Sequence, residues 1–203
     1  MRKKGLLVVV SGPAGSGKGT VTKLLLESPD YAFSVSATTR APRPGEVDGV
    51  NYHYITRETF ESLRENGEFL ESAEYCGNLY GTLKREAEEI LESGRNLILE
   101  IEVEGAGNIK RIRPDAVAIM LLPPSFEVLE QRLRGRGTET EEVILKRLAR
   151  SREELGLIGL YDYVVYNQDN GAEACAEEIR RIVEAERHAV RRDPNIKRNF
   201  FGE

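Results

Sequence analysis

Residues Gly12-Pro13-Ala14-Gly15-Ser16-Gly17-Lys18-Gly19-Thr20 have the types and spacing to hold phosphate. They follow the apolar run Leu6 to Val10 and open a helical pattern, the setting that G-x-x-x-x-G-K requires. Glycines let the backbone curl until several N–H groups face one anion. A helix N-terminus adds the positive end of its dipole, Lys18 adds a full charge, and Thr20 offers a hydroxyl. Gly19 stands where such loops usually place a Ser or Thr against Mg²⁺. Glu100 and Glu102, at the end of an apolar strand, are the candidate outer partners of that metal; as a bare pair they also have a reading as solvated strand-end acids. Arg40 and Arg43 bracket Pro42, and two guanidinium forks on a stiffened loop suit phosphate oxygens. Taken alone, that pair reads equally as solvated loop arginines.

The elements that must position these groups are legible in outline. Apolar runs at Leu6 to Ser11, Leu97 to Glu102, Ala116 to Leu122 and Tyr163 to Tyr166 alternate with helical patterns, which implies a parallel sheet covered on both faces. A fifth strand is predicted at Phe33 to Ser36. Lys84 to Ser93 reads as a helix stopped by Gly94. Ser125 can cap the helix carrying Phe126, Leu129 and Leu133, and Thr138 with Glu141 matches a capping box before a long charged helix. After the Asn170-Gly171 turn, Ala172, Ala176, Ile179, Ile182, Val183 and Val190 keep one helical face. Residues 37–82 look like a small, partly antiparallel insertion with a hairpin at Tyr75 to Tyr80. Residues 132–157 look like a charged helical cover.

A longer pattern narrows the substrate. Ser36-Ala37-Thr38-Thr39-Arg40-Ala41-Pro42-Arg43-Pro44-Gly45-Glu46, followed by Gly49-Val50-Asn51-Tyr52, closely resembles the guanylate kinase signature S-x-T-T-R-x-P-R-x-G-E…G-x-x-Y. The resemblance continues through Gly67 to Glu71, Gly77 to Thr82, Glu100 to Val103 and Gly135 to Glu139, covering roughly residues 5–185. It implies an α/β fold: a three-layer P-loop kinase core with a parallel sheet, a small mixed α/β GMP-binding insertion and a helical lid. The domain would span 5–184, with core segments 5–36, 83–131 and 158–190, insertion 37–82, lid 132–157, and a basic tail at 191–203. The implied activity moves the γ-phosphate of MgATP to GMP, and to dGMP, in purine nucleotide metabolism and GMP recycling.

The same resemblance assigns roles. Lys18, Arg40, Arg136 and Arg147 would serve the transfer, and Gly12 through Thr20, Arg132, Arg136 and Asn167 would bind ATP. Ser36, Arg40, Arg43, Tyr52, Glu71, Tyr80, Thr82 and Glu100 would bind GMP. Glu71 would read guanine, because N1–H and the exocyclic amine are two donors for one carboxylate whereas adenine presents an acceptor at N1. Ser36 and Thr82 would donate to guanine O6 or N7, and Asn167 would lie beside adenine. Arg134 falls where the family varies and is expected to be solvated. Glu104 replaces a frequent Gln, and Tyr166 and Gln168 flank Asn167 where the family often reads Val-Asn-Asp. A ribose bisphosphate kinase on the same scaffold, or a non-catalytic guanylate-kinase-like binding module, are the alternatives.

Composition excludes other classes. A formal charge of −5 argues against a general nucleic-acid binder. The first apolar run is too short for a signal or membrane segment. Cys76 and Cys175 have no ligand spacing and read as reduced thiols, so a cytoplasmic protein with no nucleic-acid or membrane partner is expected, and a homo-oligomer is left open. His53 and His188 lack metal spacing, and the basic residues from Arg187 to Arg198 are expected to be solvated.

Overall fold

Leu7–Ser11 forms β1, and all its residues are buried. A strand without an exposed face must be covered on both sides. The computed structural model, which describes residues 4–75, 77–135 and 140–202, shows what covers it. The chain continues through α1 (Lys18–Leu26), β2 (Tyr31–Phe33), β3 (Ala37–Thr38), β4 (His53–Tyr54), α2 (Arg57–Glu65), β5 (Phe69–Tyr75) and β6 (Asn78–Leu83). It then forms α3 (Lys84–Glu92), β7 (Asn96–Glu100), α4 (Val103–Ile112), β8 (Val117–Leu122) and α5 (Phe126–Gly135). The last elements are α6 (Glu141–Leu155), β9 (Tyr163–Tyr166), α7 (Ala172–Arg187) and α8 (Ile196–Phe201).

The main sheet has the order β2-β7-β1-β8-β9, with every pairing parallel. Alternate residues of β1 enter two cores. Val8 and Val10 pack with Val21 and Leu25 of α1 and Ile179 and Val183 of α7. Leu7 and Val9 pack on the other side with Ala87 and Leu91 of α3 and Ala106 and Ile109 of α4. Each such aliphatic side chain contributes about 1.5–3 kcal/mol by leaving water, so this sandwich fixes the loops at its edge. Because β7 and β8 lie on either side of β1, the loops after these three strands meet at one end of the sheet, where open α/β folds place ligands. The second sheet, β4-β3-β6-β5, pairs β3 with β4 in parallel and the other neighbours antiparallel.

Several boundaries differ from the sequence reading. The fifth strand is Tyr31–Phe33 rather than Phe33–Ser36, because Tyr31 and Ala32 are the buried residues and pair with Asn96 and Leu97. Glu102 does not sit on a strand; β7 ends at Glu100, and Glu102 is the residue before the first turn of α4. Helix α6 begins at Glu141 with Thr140 before it, so Thr140 occupies the place expected of Thr138, which lies outside the described residues. Val190 is off the α7 face and 73% exposed, because the helix ends at Arg187 and Ala189 is extended.

Candidate active site

The loop after β1 turns through positive φ at Gly12, Gly15 and Gly17 (147°, 91° and 93°). Two of these glycines leave no room for a side chain. A Cβ at Gly12 would stand 2.2 Å from the Leu121 carbonyl, and one at Gly17 would stand 2.2 Å from Asn167 Nδ2. Lys18 folds back so that Nζ donates to the carbonyls of Gly12 at 2.5 Å and Pro13 at 3.3 Å. Helix α1 starts at Lys18 with no acid of its own in the first turn, which leaves its positive end facing the loop. Ser16 Oγ is buried without a hydrogen-bond partner among the described residues. Thr20, by contrast, is exposed.

Asn167, expected beside adenine, is held by hydrogen bonds through both its side chain and its backbone. Its Nδ2 donates to the Ser16 carbonyl at 2.8 Å, its N–H to Leu122 O at 2.7 Å, and its own carbonyl accepts from Arg132 Nη2 at 2.8 Å. Arg132 also meets Asp169 Oδ1 at 2.9 Å. One buried residue at the end of β9 thus braces the phosphate loop and an arginine of α5. Arg147 lies on α6, whose Ile144 and Leu148 form a small core with Leu129 and Leu133 of α5 against Ala14 of the loop. Arg136 lies outside the described residues. Arg134 is not simply solvated: it pairs with Glu130 at 2.9 Å and with Glu141, tying α5 to α6.

Between the two sheets lies a cavity of about 340 Å³ whose wall brings together Ser36, Tyr52, Glu71, Tyr80, Glu100 and Glu102. Glu71 Oε1 accepts from the Thr82 hydroxyl at 2.9 Å. Burial pushes the Glu71 carboxyl above its usual range, with the Thr82 hydrogen bonds opposing. Tyr52 and Tyr80 meet edge to face at 6.0 Å, and the Arg40 guanidinium stands 5.5 Å from the Tyr52 ring centre. Arg43 is exposed at the loop tip and is not drawn into that wall.

As for metal, Glu100 Oε2 accepts from the buried Thr22 hydroxyl at 2.6 Å, and Glu100 Oε1 lies 3.7 Å from where a Gly19 Cβ would be. Among the described residues, no three His, Cys, Asp or Glu side chains are grouped so that they could hold a metal ion by themselves. A carboxylate beside a side-chain-free loop, without a closed cage, suits a Mg²⁺ that keeps water and phosphate ligands.

A model of the guanylate kinase family matches residues 4–186. A guanylate kinase of Clostridioides difficile is 52% identical over 96% of this chain and 94% of its own length. One from Streptococcus thermophilus is 48% identical over 100% of this chain and 97% of its own. The crystal structure of guanylate kinase from Anaplasma phagocytophilum superposes with a TM-score of 0.74 at 34% identity, covering 95% of this chain and 91% of that one. The chain belongs to the guanylate kinase family. The α/β fold expected from the guanylate kinase resemblance is the fold observed.

Inside the guanylate kinase signature, sequence reasoning gave Glu46 no task, yet it organises the arginine loop. Arg40 Nη2 reaches Glu46 Oε1 and Oε2 at 2.9 and 3.0 Å, while the Arg43 N–H and the Tyr54 hydroxyl each donate to Glu46 Oε2 at 2.7 Å. Thr22 was missed as well, although its place one helical turn beyond Lys18 could have drawn attention. The buried Glu154 of α6 is a third omission. Nothing in a densely charged helix marks one glutamate as the inward one.

Proposed function

We propose that this chain transfers the γ-phosphoryl group of ATP to GMP, and to dGMP, giving ADP and the nucleoside diphosphate, in cytoplasmic purine nucleotide metabolism. The backbone amides between Gly12 and Thr20, with Lys18, bind the donor phosphates, as do Arg132 of α5, Arg147 of α6 and Arg136, which lies outside the described residues. Arg40, Arg43, Tyr52 and Tyr80 bind the acceptor phosphate. An anionic oxygen of GMP attacks the γ-phosphorus as the bond to the β–γ bridging oxygen breaks, and ADP takes the electron pair. That oxygen is already deprotonated at neutral pH, so no side chain has to act as base. What the residues supply is alignment and positive charge as the group moves. Mg²⁺, held through phosphates and through water on Glu100 and Glu102, would screen the charge on the β- and γ-oxygens. Docking of α6 over the loop would exclude water and suppress ATP hydrolysis.

The observation that carries this reading is the Glu71–Thr82 pair at a cavity that Tyr52 and Tyr80 also line, with the Arg40 guanidinium 5.5 Å from the Tyr52 ring centre. The Thr82 proton is committed to Glu71, which leaves that carboxylate facing the guanine N1–H and amine and leaves Ser36 to donate to O6. Adenine would strand the carboxylate against a lone pair, a mismatch worth about 10⁴-fold in kcat/KM. A coupled ADP-release assay across GMP, dGMP, AMP, CMP and UMP tests it. Turnover confined to GMP and dGMP is expected; AMP matching GMP, or inert GMP, overturns it. Lys18→Ala should lower kcat by about 10²–10³-fold with an unchanged circular dichroism spectrum.

A further inference from the structure

Glu100 ends β7 and pairs with Val10 of β1, which brings its carboxylate beside the start of α1. Its Oε1 and Oε2 lie 3.7 and 4.0 Å from where a Cβ of Gly19 would stand, so the acid occupies space that a longer residue at 19 would take. Thr22 meets it there from α1, one turn beyond Lys18. Thr22 is 3% exposed, and its Oγ1 lies 2.6 Å from Glu100 Oε2, 3.0 Å from the Lys18 carbonyl and 3.3 Å from the Gly19 carbonyl. A hydroxyl has one proton to give. Were it given to a helix carbonyl, an ionised carboxylate would face an oxygen lone pair at 2.6 Å, which is repulsive. That separation is instead the length of a charge-assisted O–H···O⁻ bond, so the proton goes to Glu100. Threonines often bond back onto their own helix without consequence. What sets Thr22 apart is its burial beside an acid 78 residues further along the chain.

We propose that Thr22 is a positioning residue for Glu100: its hydroxyl holds the carboxylate beside Gly19, in the direction that accepts from the water ligands of Mg²⁺ on the donor phosphates. This rests on the reading that Mg²⁺ meets Glu100 through water. The last torsion of a glutamate is broad, and a donor on one oxygen fixes where the other one faces. With Oε2 held by Thr22, Oε1 stays next to the side-chain-free position of the loop. Glu100 also lines the acceptor cavity, so the carboxylate that Thr22 fixes borders both the phosphate loop and the GMP side. Thr22 lies beyond the G-x-x-x-x-G-K segment and outside the signature, and it reaches the site only through this acid.

The experiment measures ATP binding to the full chain by calorimetry, without GMP, once in EDTA and once in excess Mg²⁺. The ratio of the two dissociation constants is the gain that the metal adds. Glu100→Gln should cut this gain about 10- to 100-fold, the range for groups that orient what a metal binds. Thr22→Val keeps the shape but removes the donor, and should cut it about 10-fold. Affinity in EDTA should stay within about twofold in Thr22→Val, because Thr22 touches no nucleotide. Thr22→Ser restores the hydroxyl and should recover most of the gain. The double variant T22V/E100Q should lose no more than E100Q alone, since Thr22 acts through that carboxylate. An undiminished gain in Thr22→Val, where Glu100→Gln loses it, overturns the proposal. So do an equal loss of affinity in EDTA and in Mg²⁺, a Thr22→Ser variant that behaves as Thr22→Val, and losses that add in full in the double variant. An undiminished gain in Glu100→Gln would instead overturn the underlying reading that Mg²⁺ meets this acid.

Discussion

Glu46 shows how one side chain can set the geometry of another. Its carboxyl is held down at about 2, first by the Arg43 N–H and the Tyr54 hydroxyl, with Arg40 adding to them. A depressed carboxylate pKa means the interaction is present above the unfolded value of 4.5 and fades only as pH falls toward 2. The Arg40 clamp is thus intact across any working pH. Glu46→Gln should raise KM for GMP about tenfold by loosening Arg40, and should lower the melting temperature because the carboxylate, 19% exposed, also holds the Arg43 N–H and the Tyr54 hydroxyl; steady-state kinetics and thermal unfolding check both halves. Glu71 has the opposite sign. Its carboxyl is raised above 4.5, so it takes up a proton at higher pH than an ordinary glutamate and loses an acceptor as it does. Guanosine inhibition should therefore weaken on acidification before exposed carboxylates titrate, and Glu71→Gln should flatten that profile while cutting kcat/KM for GMP about 10²-fold. Arg40, Glu71 and Thr82 were legible because the signature fixes their order. Glu46 and Thr22 were not, since their tasks depend on which neighbours the fold brings to them.

At the scale of elements, the phosphate loop depends on its surroundings as much as on its own glycines. Asn167 at the end of β9 fills the space beside Gly17 and bonds the Ser16 carbonyl, while Leu129 and Leu133 of α5 close on Gly15. Asn167→Ala should remove the brace on Ser16 and leave its buried carbonyl short of a partner, at about 1–3 kcal/mol of local stability. The expected readout is a fall in kcat and a rise in KM for ATP, with KM for GMP nearly unchanged. Strand alternation, the helix stop at Gly94 and the turn at Asn170-Gly171 could be read from the sequence, because burial and the positive φ at Gly94 and Asn170 leave local marks. The bracing role of Asn167 could not, since its partners lie at the other end of the chain. The displaced start of β2 has a similar cause: pairing with Asn96, Leu97 and Ile98 sets the strand over Tyr31, Ala32 and Phe33.

Across the whole molecule, charge is segregated by task. The opposite end of the sheet holds a larger hollow, about 600 Å³, lined by Lys4, Lys110, Arg113, Arg191 and Arg192 among others. Those cations are spent on Glu88, Asp162, Asp115 and Glu186, so this is a structural ion network. The first part of the basic tail is therefore docked, contrary to the solvated state expected of it: Glu186 is 2% exposed and bound by Tyr163, Arg191 and Arg192. Arg192→Ala should cost about 1.5–3 kcal/mol by removing its charge-assisted hydrogen bonds to that carboxylate, which keeps Tyr163 and Arg191, seen in denaturant unfolding with kinetic constants unchanged. The link between Asn167 and Ser16 has a further consequence for synthesis. The nucleotide cradle is translated 151 residues ahead of the side chain that braces it, which arrives just after β9. A nascent chain halted before Tyr163 should emerge with its G-x-x-x-x-G-K segment already made and still fail to retain ATP.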